Sequence, residues 1–269
     1  MLYQAKNGSV SFGENAMAYI RFGAGKKTLI MLPGLGDGLR SMKGTALPMA
    51  LLYRCLAKDY TVYAFSRLNE LPNGYTTRDM ARDQMKAMDV LGIEKADYLG
   101  VSMGGMIAQH LAAEYPDRVG KLVLVVTSAR PNPILTEAVT EWIGQAKAGD
   151  HTALMDSNLL KIYSEDYYRK NKWLVPILGR VTKPKSYDRF FVQAEACLIH
   201  NSFDRLGEIR SPTLVMGGEQ DQTLGVEASK EIARRIPGAK LKLYGQWGHG
   251  LYEEEKNFLS DVLAFLKEE

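Results

Sequence analysis

A serine framed by two glycines is the residue best suited to chemistry in this sequence. Residues 100–104 read Gly-Val-Ser-Met-Gly, so a glycine lies two positions from Ser102 on either side. An apolar, strand-like run at residues 96–101 leads into this serine, and a helical pattern starts at Met103. A G-x-S-x-G turn between a strand and a helix exposes the serine hydroxyl at the edge of a sheet. Ser102 is therefore the candidate nucleophile.

A serine nucleophile requires a general base, because a neutral hydroxyl attacks weakly. Of the four histidines, only His249 lies in a glycine-rich loop, residues 245–250, that follows a predicted strand. His110 falls within an apolar helical pattern, which favours a packing role. His151 and His200 lie in or beside a region without clear strands and could equally be surface groups. We therefore take His249 as the candidate base.

The base in turn needs a carboxylate that holds its ring in one tautomer. The predicted strand at residues 213–216 is followed by Gly-Gly-Glu-Gln-Asp, which offers Glu219 and Asp221. Both follow the carboxyl end of a predicted parallel strand, where active sites of open sheets lie. Both carboxylates remain candidates at this point, and Asp221 is preferred.

The elements that must position these residues alternate along the chain. Two short segments within residues 9–22 flank Gly-Glu-Asn, a pattern typical of an antiparallel hairpin. Later apolar, β-rich runs alternate with helical stretches, which predicts a parallel sheet covered by helices on both faces. These runs occupy residues 28–32, 61–65, 96–101, 121–126, 213–216 and 240–244. We predict an α/β fold with a mostly parallel central sheet of about eight strands and an N-terminal antiparallel hairpin.

This alternation stops between residues 131 and 205, where helical patterns and aromatic residues occur without a clear strand. We interpret this segment as a helical cap, inserted between a first core part at residues 1–130 and a second at residues 206–269. Basic residues are concentrated between residues 167 and 189 of the cap. They fit either an anionic substrate or a solvated helical face. We favour the solvated face, because long basic side chains usually cover apolar surface while their charged ends stay in water.

Length, composition and charge restrict the function classes. The chain has 269 residues, of which 46% are hydrophobic and 24% charged, close to the averages of globular proteins. The 34 Lys and Arg residues nearly cancel the 31 Asp and Glu residues. The resulting charge of +3 is too small for the basic surface of a nucleic-acid binder. No apolar run approaches the ~20 residues that span a bilayer, so no membrane partner is expected.

The N-terminal residues and the two cysteines indicate in which cellular compartment the protein is expected. The first residues show no apolar stretch after a basic start, so we expect no secretory signal. Cys55 and Cys197 lie in neither a C-x-x-C motif nor a His/Cys cluster, which predicts no disulfide framework and no metal site. We expect a cytoplasmic protein without a cofactor. A homo-oligomer is compatible with this pattern, but nothing in the sequence points to one.

The order of the motifs resembles the α/β-hydrolase superfamily. Three motifs supply Ser, Asp and His in this order along the chain. They are the G-x-S-x-G turn, a Gly-x-x-Asp after the next-to-last strand, and a late Gly-His before a terminal helix. The resemblance covers nearly the whole chain apart from the cap and points to a cap-bearing, esterase-like branch that acts on small molecules. It implies Asp221 rather than Glu219 as the acid of a catalytic triad with Ser102 and His249.

The resemblance also implies an oxyanion hole formed by two backbone N–H groups. One belongs to the residue after the nucleophile, Met103. The other belongs to an early loop, residues 32–38, where Leu35 occupies the expected position. Pro33 stands where the superfamily usually has a histidine, a departure that affects the alignment of this loop more than the mechanism.

Together these features predict a serine hydrolase that cleaves a small, largely apolar ester by acyl transfer to water. Because this scaffold hosts many chemistries, the alternatives are a carbon–carbon bond hydrolase, a lactonase, a perhydrolase, or a receptor that keeps the triad with negligible turnover. Perhydrolases usually have Trp at the position of Leu35, and carbon–carbon hydrolases often have an aromatic residue where this chain has Gly250 and Leu251. Both are therefore less favoured.

Overall fold

An eight-stranded sheet organises residues 2–268, the part of the chain that the computed structural model describes. The strands are β1 (Lys6–Phe12), β2 (Asn15–Phe22), β3 (Lys27–Leu32), β4 (Tyr60–Leu68), β5 (Ala96–Val101), β6 (Val119–Val125), β7 (Thr213–Gly218) and β8 (Lys240–Tyr244). Their spatial order is β1-β2-β4-β3-β5-β6-β7-β8. β2 pairs antiparallel with β1 and β4, and the pairs from β4 through β8 are parallel. The predicted α/β class and its N-terminal hairpin are confirmed.

Helices cover both faces of this sheet. They are α1 (Ala46–Leu52), α2 (Thr77–Val90), α3 (Met103–Glu114), α4 (Pro133–Lys147), α5 (His151–Ile162), α6 (Glu165–Asn171), α7 (Val175–Val181), α8 (Asp188–Leu198), α9 (Val226–Arg235), α10 (Leu251–Glu254) and α11 (Phe258–Lys267). Buried residues of α2, α3 and α9 belong to one apolar cluster, and those of α1 and α11 to the other. Among residues 2–268, no helix combines the length and apolar character needed to cross a bilayer.

The sequence explains where two of the helices begin. Thr76 is the N-cap of α2: its hydroxyl accepts a hydrogen bond from the Asp79 N–H, and the Asp79 carboxylate accepts one from the Thr76 N–H. Helix α3 starts directly after β5 and lies so close to β3 that a Cβ at Gly104 would overlap the Leu32 carbonyl oxygen. Glycine is therefore required there for packing.

Five helices, α4 to α8, lie between β6 and β7. α8 returns to the core, where a Cβ at Gly38 would lie 2.8 Å from the Cα of Phe190. The structure thus places helices throughout most of the segment that we interpret as the cap. The cap boundaries at residues 131 and 205 stay a prediction.

Candidate active site

Ser102 lies at the sharp turn between β5 and α3. Its backbone has φ 53° and ψ −122°, a conformation uncommon for a residue with a side chain. Its N–H donates to the Val125 carbonyl at 2.9 Å, and its own carbonyl accepts from the Thr127 hydroxyl at 2.7 Å. Neighbouring strand β6 and the residues that follow it thus hold the turn in place. Strain maintained in this way is typical of functional positions.

His249 connects this serine to a carboxylate. Its Nε2 lies 3.0 Å from Ser102 Oγ, and its Nδ1 lies 2.9 Å from Asp221 Oδ2. The imidazole is buried, with 3% of the residue exposed, in the loop that follows β8. The three side chains therefore form one continuous hydrogen-bonded chain from hydroxyl to carboxylate.

Asp221 is fixed by its own loop after β7. Its Oδ1 accepts hydrogen bonds from the N–H groups of Thr223 at 2.8 Å and Leu224 at 2.9 Å. Burial acts to raise the pKa of Asp221, but the charge of His249 and these hydrogen bonds outweigh it, and the pKa lies below its usual range. The group is thus an ionised acceptor at neutral pH. The Glu219 carboxylate instead lies beside Gly245, so it is Asp221 that contacts the imidazole.

The loop between β3 and α1 passes directly beside the serine. A Cβ at Gly34 would lie 3.3 Å from Ser102 Cβ, so the loop reaches this position because residue 34 has no side chain. Leu35 opens a short 3-10 turn, Leu35–Gly38, and Met103 opens α3. N–H groups at such positions have no partner within their own helix and are free to bind a negatively charged oxygen. The structure thus places both expected donors on segments adjoining Ser102.

The other three histidines take no part in the hydrogen bonds that join Ser102, His249 and Asp221. His151 contacts the Tyr187 hydroxyl at 3.0 Å, and His200 contacts the Thr77 hydroxyl at 2.8 Å. His110 packs edge-on against His200 with ring centroids 5.2 Å apart. The alternative of surface positions for His151 and His200 is wrong, since each residue is 2% exposed. Tertiary packing buries them among hydroxyl partners that a sequence pattern does not reveal.

A cavity of about 690 Å³ opens next to the Gly34 loop. Its lining includes Pro33, Gly34, Val101 and Tyr252, and its other lining residues also come from the core rather than from the cap. This volume is in the range of small-molecule sites. Ser102, Asp221 and His249 are not among its lining residues, so the cavity adjoins the Gly34 loop without containing the hydrogen-bonded side chains.

An ion pair that no sequence pattern predicted lies behind the same loop. Asp37 accepts a hydrogen bond from Arg189 of α8 at 2.8 Å, and the backbone N–H of Arg67 also donates to it. The expected solvated face at residues 167–189 includes Arg189. Its side chain is only 19% exposed, so that interpretation is wrong for this residue. One signal was available: Arg67 is the one charged residue of β4.

Comparison with known proteins extends these observations. Residues 27–256 match the family model of the alpha/beta hydrolase fold. A protein of Caulobacter segnis, named as a candidate carbamate hydrolase, RutD, is 26% identical over 254 residues, which cover 91% of this chain and 92% of the other. The 2-hydroxy-6-oxononadienedioate/2-hydroxy-6-oxononatrienedioate hydrolase of Klebsiella pneumoniae subsp. pneumoniae is 28% identical over 256 residues, covering 91% and 88%.

Among solved structures, the alpha/beta hydrolase enzyme MGS-M2, from a Medee basin deep-sea metagenome library, superposes with a TM-score of 0.85. The two chains are 22% identical, and the match covers 97% of this chain and 98% of the other. The family model spans most of the sequence and includes the serine turn and the loops that carry Asp221 and His249. The chain belongs to the α/β-hydrolase fold family.

Proposed function

We propose that this protein is a serine hydrolase that cleaves a small, largely apolar ester. The observation that carries the proposal is the hydrogen-bonded chain from Ser102 Oγ through His249 to Asp221, with contacts of 3.0 and 2.9 Å. A serine hydroxyl, an imidazole and a buried carboxylate in this order are the parts that acyl transfer needs.

In this proposal Ser102 Oγ attacks the ester carbonyl carbon while His249 Nε2 takes the hydroxyl proton. The tetrahedral intermediate then collapses, His249 gives its proton to the leaving alcohol, and an acyl-serine ester remains. Water attacks this acyl group with His249 again as the base, which releases the acid and restores the hydroxyl. Asp221 holds the imidazole in the tautomer whose Nε2 can accept the proton.

The backbone N–H groups of Leu35 and Met103 are proposed to bind the oxyanion of each tetrahedral intermediate. Their positions at the start of helical segments support this role, because such donors are already oriented before the charge develops. We further propose that the protein acts in the cytoplasm. Cys55 and Cys197 are both free thiols, which fits a reducing compartment.

Labelling with a fluorophosphonate, followed by peptide mapping, tests this function directly. We expect the label on Ser102, and none in Ser102→Ala or in protein unfolded with urea, because only the folded triad activates a serine. The Ser260 hydroxyl, on the exposed face of α11, donates to the Asn257 carbonyl and has no base beside it in the described residues, so it is an internal control that should stay unlabelled. Labelling of another serine, or of none in folded protein, would contradict the proposal.

Cleavage of a carbon–carbon bond is the second candidate. It is favoured by the similarity to the Klebsiella 2-hydroxy-6-oxononadienedioate hydrolase. Parallel assays on nitrophenyl esters of increasing chain length and on a 2-hydroxy-6-oxo-dienoate separate the two. We expect the esters of short and medium chains to have the higher kcat/KM, and the reverse order would favour the second candidate.

A further inference from the structure

Helix α7 presents apolar side chains to solvent. Trp173 lies in the short helical turn before α7, and Ile177 and Val181 follow at steps of four residues. Residues four apart share one helix face, and these three are 66%, 51% and 72% exposed. The other face packs on α5, since Val175 is buried and a Cβ at Gly179 would overlap a residue of that helix. The helix is therefore held in place with an uncovered apolar stripe, formed by Trp173, Ile177 and Val181.

Unpaired positive charges surround this apolar stripe. Residues 169–185 contain no acidic residue, and their exposed basic residues are Arg169, Lys170, Lys172, Arg180, Lys183 and Lys185. Arg169 pairs with Asp166, whereas the other five form no salt bridge in the described part of the chain. Lys172 directly precedes the stripe, and Lys183 follows it by two residues. Their Cα atoms thus lie within about 8 Å of the stripe, one Debye length at physiological salt.

Two carboxylates lie near the stripe and do not balance these charges. Asp150 and Asp156 line a shallow hollow together with Lys172 and Trp173. Asp150 accepts a hydrogen bond from the first turn of α5, and Asp156 accepts one from the Tyr168 hydroxyl. Both are therefore already bonded within the protein. Two negative charges against five unpaired positive ones leave the surface basic.

The exposure of the stripe distinguishes it from an ordinary solvated helix face. Lysine and arginine side chains commonly cover apolar surface with their aliphatic stems. At α7 they do not, because more than half of the Trp173, Ile177 and Val181 surface stays accessible. A tryptophan and aliphatic side chains beside lysines and arginines are typical of helices that lie at a membrane interface. There the apolar side chains enter the boundary of the acyl chains, and the basic ones are attracted to anionic headgroups.

We propose that α7 and the basic residues around it dock on the surface of a membrane that contains anionic lipids. The expectation of no membrane partner concerned segments that span a bilayer, and contact with its surface needs no such segment. The anionic lipids of the cytoplasmic leaflet supply the charge that this surface lacks. The inference goes beyond the proposed ester cleavage and is independent of it, because docking uses neither Ser102 nor His249.

Two other occupants fit the surface less well. A second copy of the chain, paired about a two-fold axis, would bring the same unpaired positive charges together, and like charges across an interface are costly. Single-stranded nucleic acids are bound by aromatic rings on which successive bases stack. The stripe has one such ring, Trp173, and Ile177 and Val181 offer none. A lipid surface suits both the charges and the aliphatic side chains.

Sedimentation with vesicles tests the role of charge. We expect the partition coefficient to be at least tenfold higher for vesicles of phosphatidylglycerol and phosphatidylcholine in equal parts than for pure phosphatidylcholine. Lys183→Glu with Lys185→Glu should lower it at least about twentyfold, roughly fivefold for each lysine. Lys26→Glu with Lys95→Glu is the matched control, because these exposed lysines precede β3 and β5 and the net charge changes equally. It should change binding by less than about threefold.

A second pair of variants tests the apolar contact. Ile177→Ser should lower the partition coefficient for the anionic vesicles by about fivefold, because an aliphatic side chain no longer leaves water. Leu51→Ser removes an aliphatic side chain of α1 that is similarly exposed, 42% against 51%, and should leave binding unchanged. Equal losses in the two variants would show that α7 is not the docking surface.

Trp173 reports the contact directly. On anionic vesicles its fluorescence emission should shift to shorter wavelength, and brominated lipid should quench it. Trp173→Phe should abolish both changes, since Trp142 is 4% exposed and Trp247 is bonded within its own loop. Equal binding to the two kinds of vesicle, or anionic binding that leaves Trp173 emission unchanged, would overturn the inference.

The remaining outcomes identify another occupant or another function. A dimer in light scattering that Ile177→Ser dissociates would assign the stripe to a second copy. Tighter binding to single-stranded DNA than to the anionic vesicles would assign it to a nucleic acid. Either result overturns docking on lipid. Fluorophosphonate labelling of Ser102 without vesicle binding would leave the hydrolase intact and remove the docking surface, whereas vesicle binding by an unlabelled protein would do the reverse.

Discussion

The carbonyl oxygen of Ile162, at the end of α5, accepts a hydrogen bond from the N–H of Gly250, the residue after His249, at 2.6 Å. The neighbouring Lys161 carbonyl accepts from the Thr223 hydroxyl at 3.2 Å, two residues after Asp221. One helix end thus contacts both loops that carry the candidate acid and the candidate base. The helices between β6 and β7 therefore support the position of these catalytic candidates as well as covering the sheet.

Gly250→Ala should disturb this contact. A Cβ at this position would lie 2.8 Å from Tyr163 Cδ1 and 3.0 Å from Ile162 O, so the His249 loop and the end of α5 must separate. We expect kcat to fall tenfold or more, because small displacements of catalytic groups are costly, and the unfolding free energy to fall by about 1–3 kcal/mol. Steady-state kinetics and urea unfolding measure both effects.

Gly144→Ala is the control for that substitution. Gly144 lies in α4, and a Cβ there would meet no atom within 4 Å. Alanine in a helix interior should leave kcat unchanged and raise stability by about 0.5–1 kcal/mol. Equal kinetics for the two variants would show that the contact at Gly250 does not position His249.

Replacing each of the two candidate acids by its amide tests which carboxylate belongs to the proposed triad. Asp221→Asn keeps the shape but removes the charge that faces His249 Nδ1, and we expect kcat to fall by up to ~10⁴ because control of the tautomer is lost. Glu219→Gln, two residues earlier, should change kcat less than twofold. Circular dichroism should show both variants folded. A large loss in Glu219→Gln with a mild one in Asp221→Asn would reverse the assignment.

The backbone conformation of Ser102 predicts that a glycine variant at this position is more stable than an alanine variant. Its φ of 53° disfavours any side chain, so Ser102→Gly should relieve strain that Ser102→Ala retains. The relief of about 1–2 kcal/mol exceeds the entropy that glycine gains in the unfolded chain, so the glycine variant should be the more stable. Urea unfolding of the two inactive variants measures this difference.

Ser260 in α11 provides the matched comparison. There the helical backbone favours alanine, so Ser260→Gly should be less stable than Ser260→Ala by about 1 kcal/mol. The same order at both sites would mean that the turn at Ser102 stores no strain.

The buried pair of His110 and His200 should make the protein sensitive to acid. Burial lowers the pKa of His110 from 6.5 to about 4, and burial together with the neighbouring His110 lowers that of His200 from 6.5 to about 3. Below pH 6.5 the unfolded chain binds protons that the folded protein does not, so stability falls with falling pH. At pH 5 we expect a loss on the order of 2–4 kcal/mol relative to pH 7.

Urea unfolding between pH 7 and pH 5 measures this loss. The double variant His110→Asn and His200→Gln keeps polar groups at both positions and should flatten the pH dependence in this range. His151→Gln is the comparison: burial lowers the pKa of His151 as well, so this variant should remove only a part of the slope. If the double variant keeps the full slope, other groups are responsible for the acid sensitivity.

Much of the chemistry was predictable because local patterns encode it. The bounds of β5 and β8 agree with the predicted strands at residues 96–101 and 240–244, and the serine turn follows from glycines at fixed spacing. The hairpin and the capping box at Thr76 are equally local. Periodicity and turn chemistry depend on a few neighbouring residues, so a single sequence is enough to recognise them.

Other features were decided only by the tertiary structure. β4 was predicted to end at residue 65, yet it continues to Leu68, because the polar residues Ser66 and Arg67 are buried by partners from distant segments. The contact between Ser102 and His249 joins residues 147 positions apart. The contacts of Ile162 and the ion pair between Asp37 and Arg189 likewise depend on segments that meet only in the folded chain. Sequence patterns name the reactive residues, whereas burial and long-range contacts determine which of them act together.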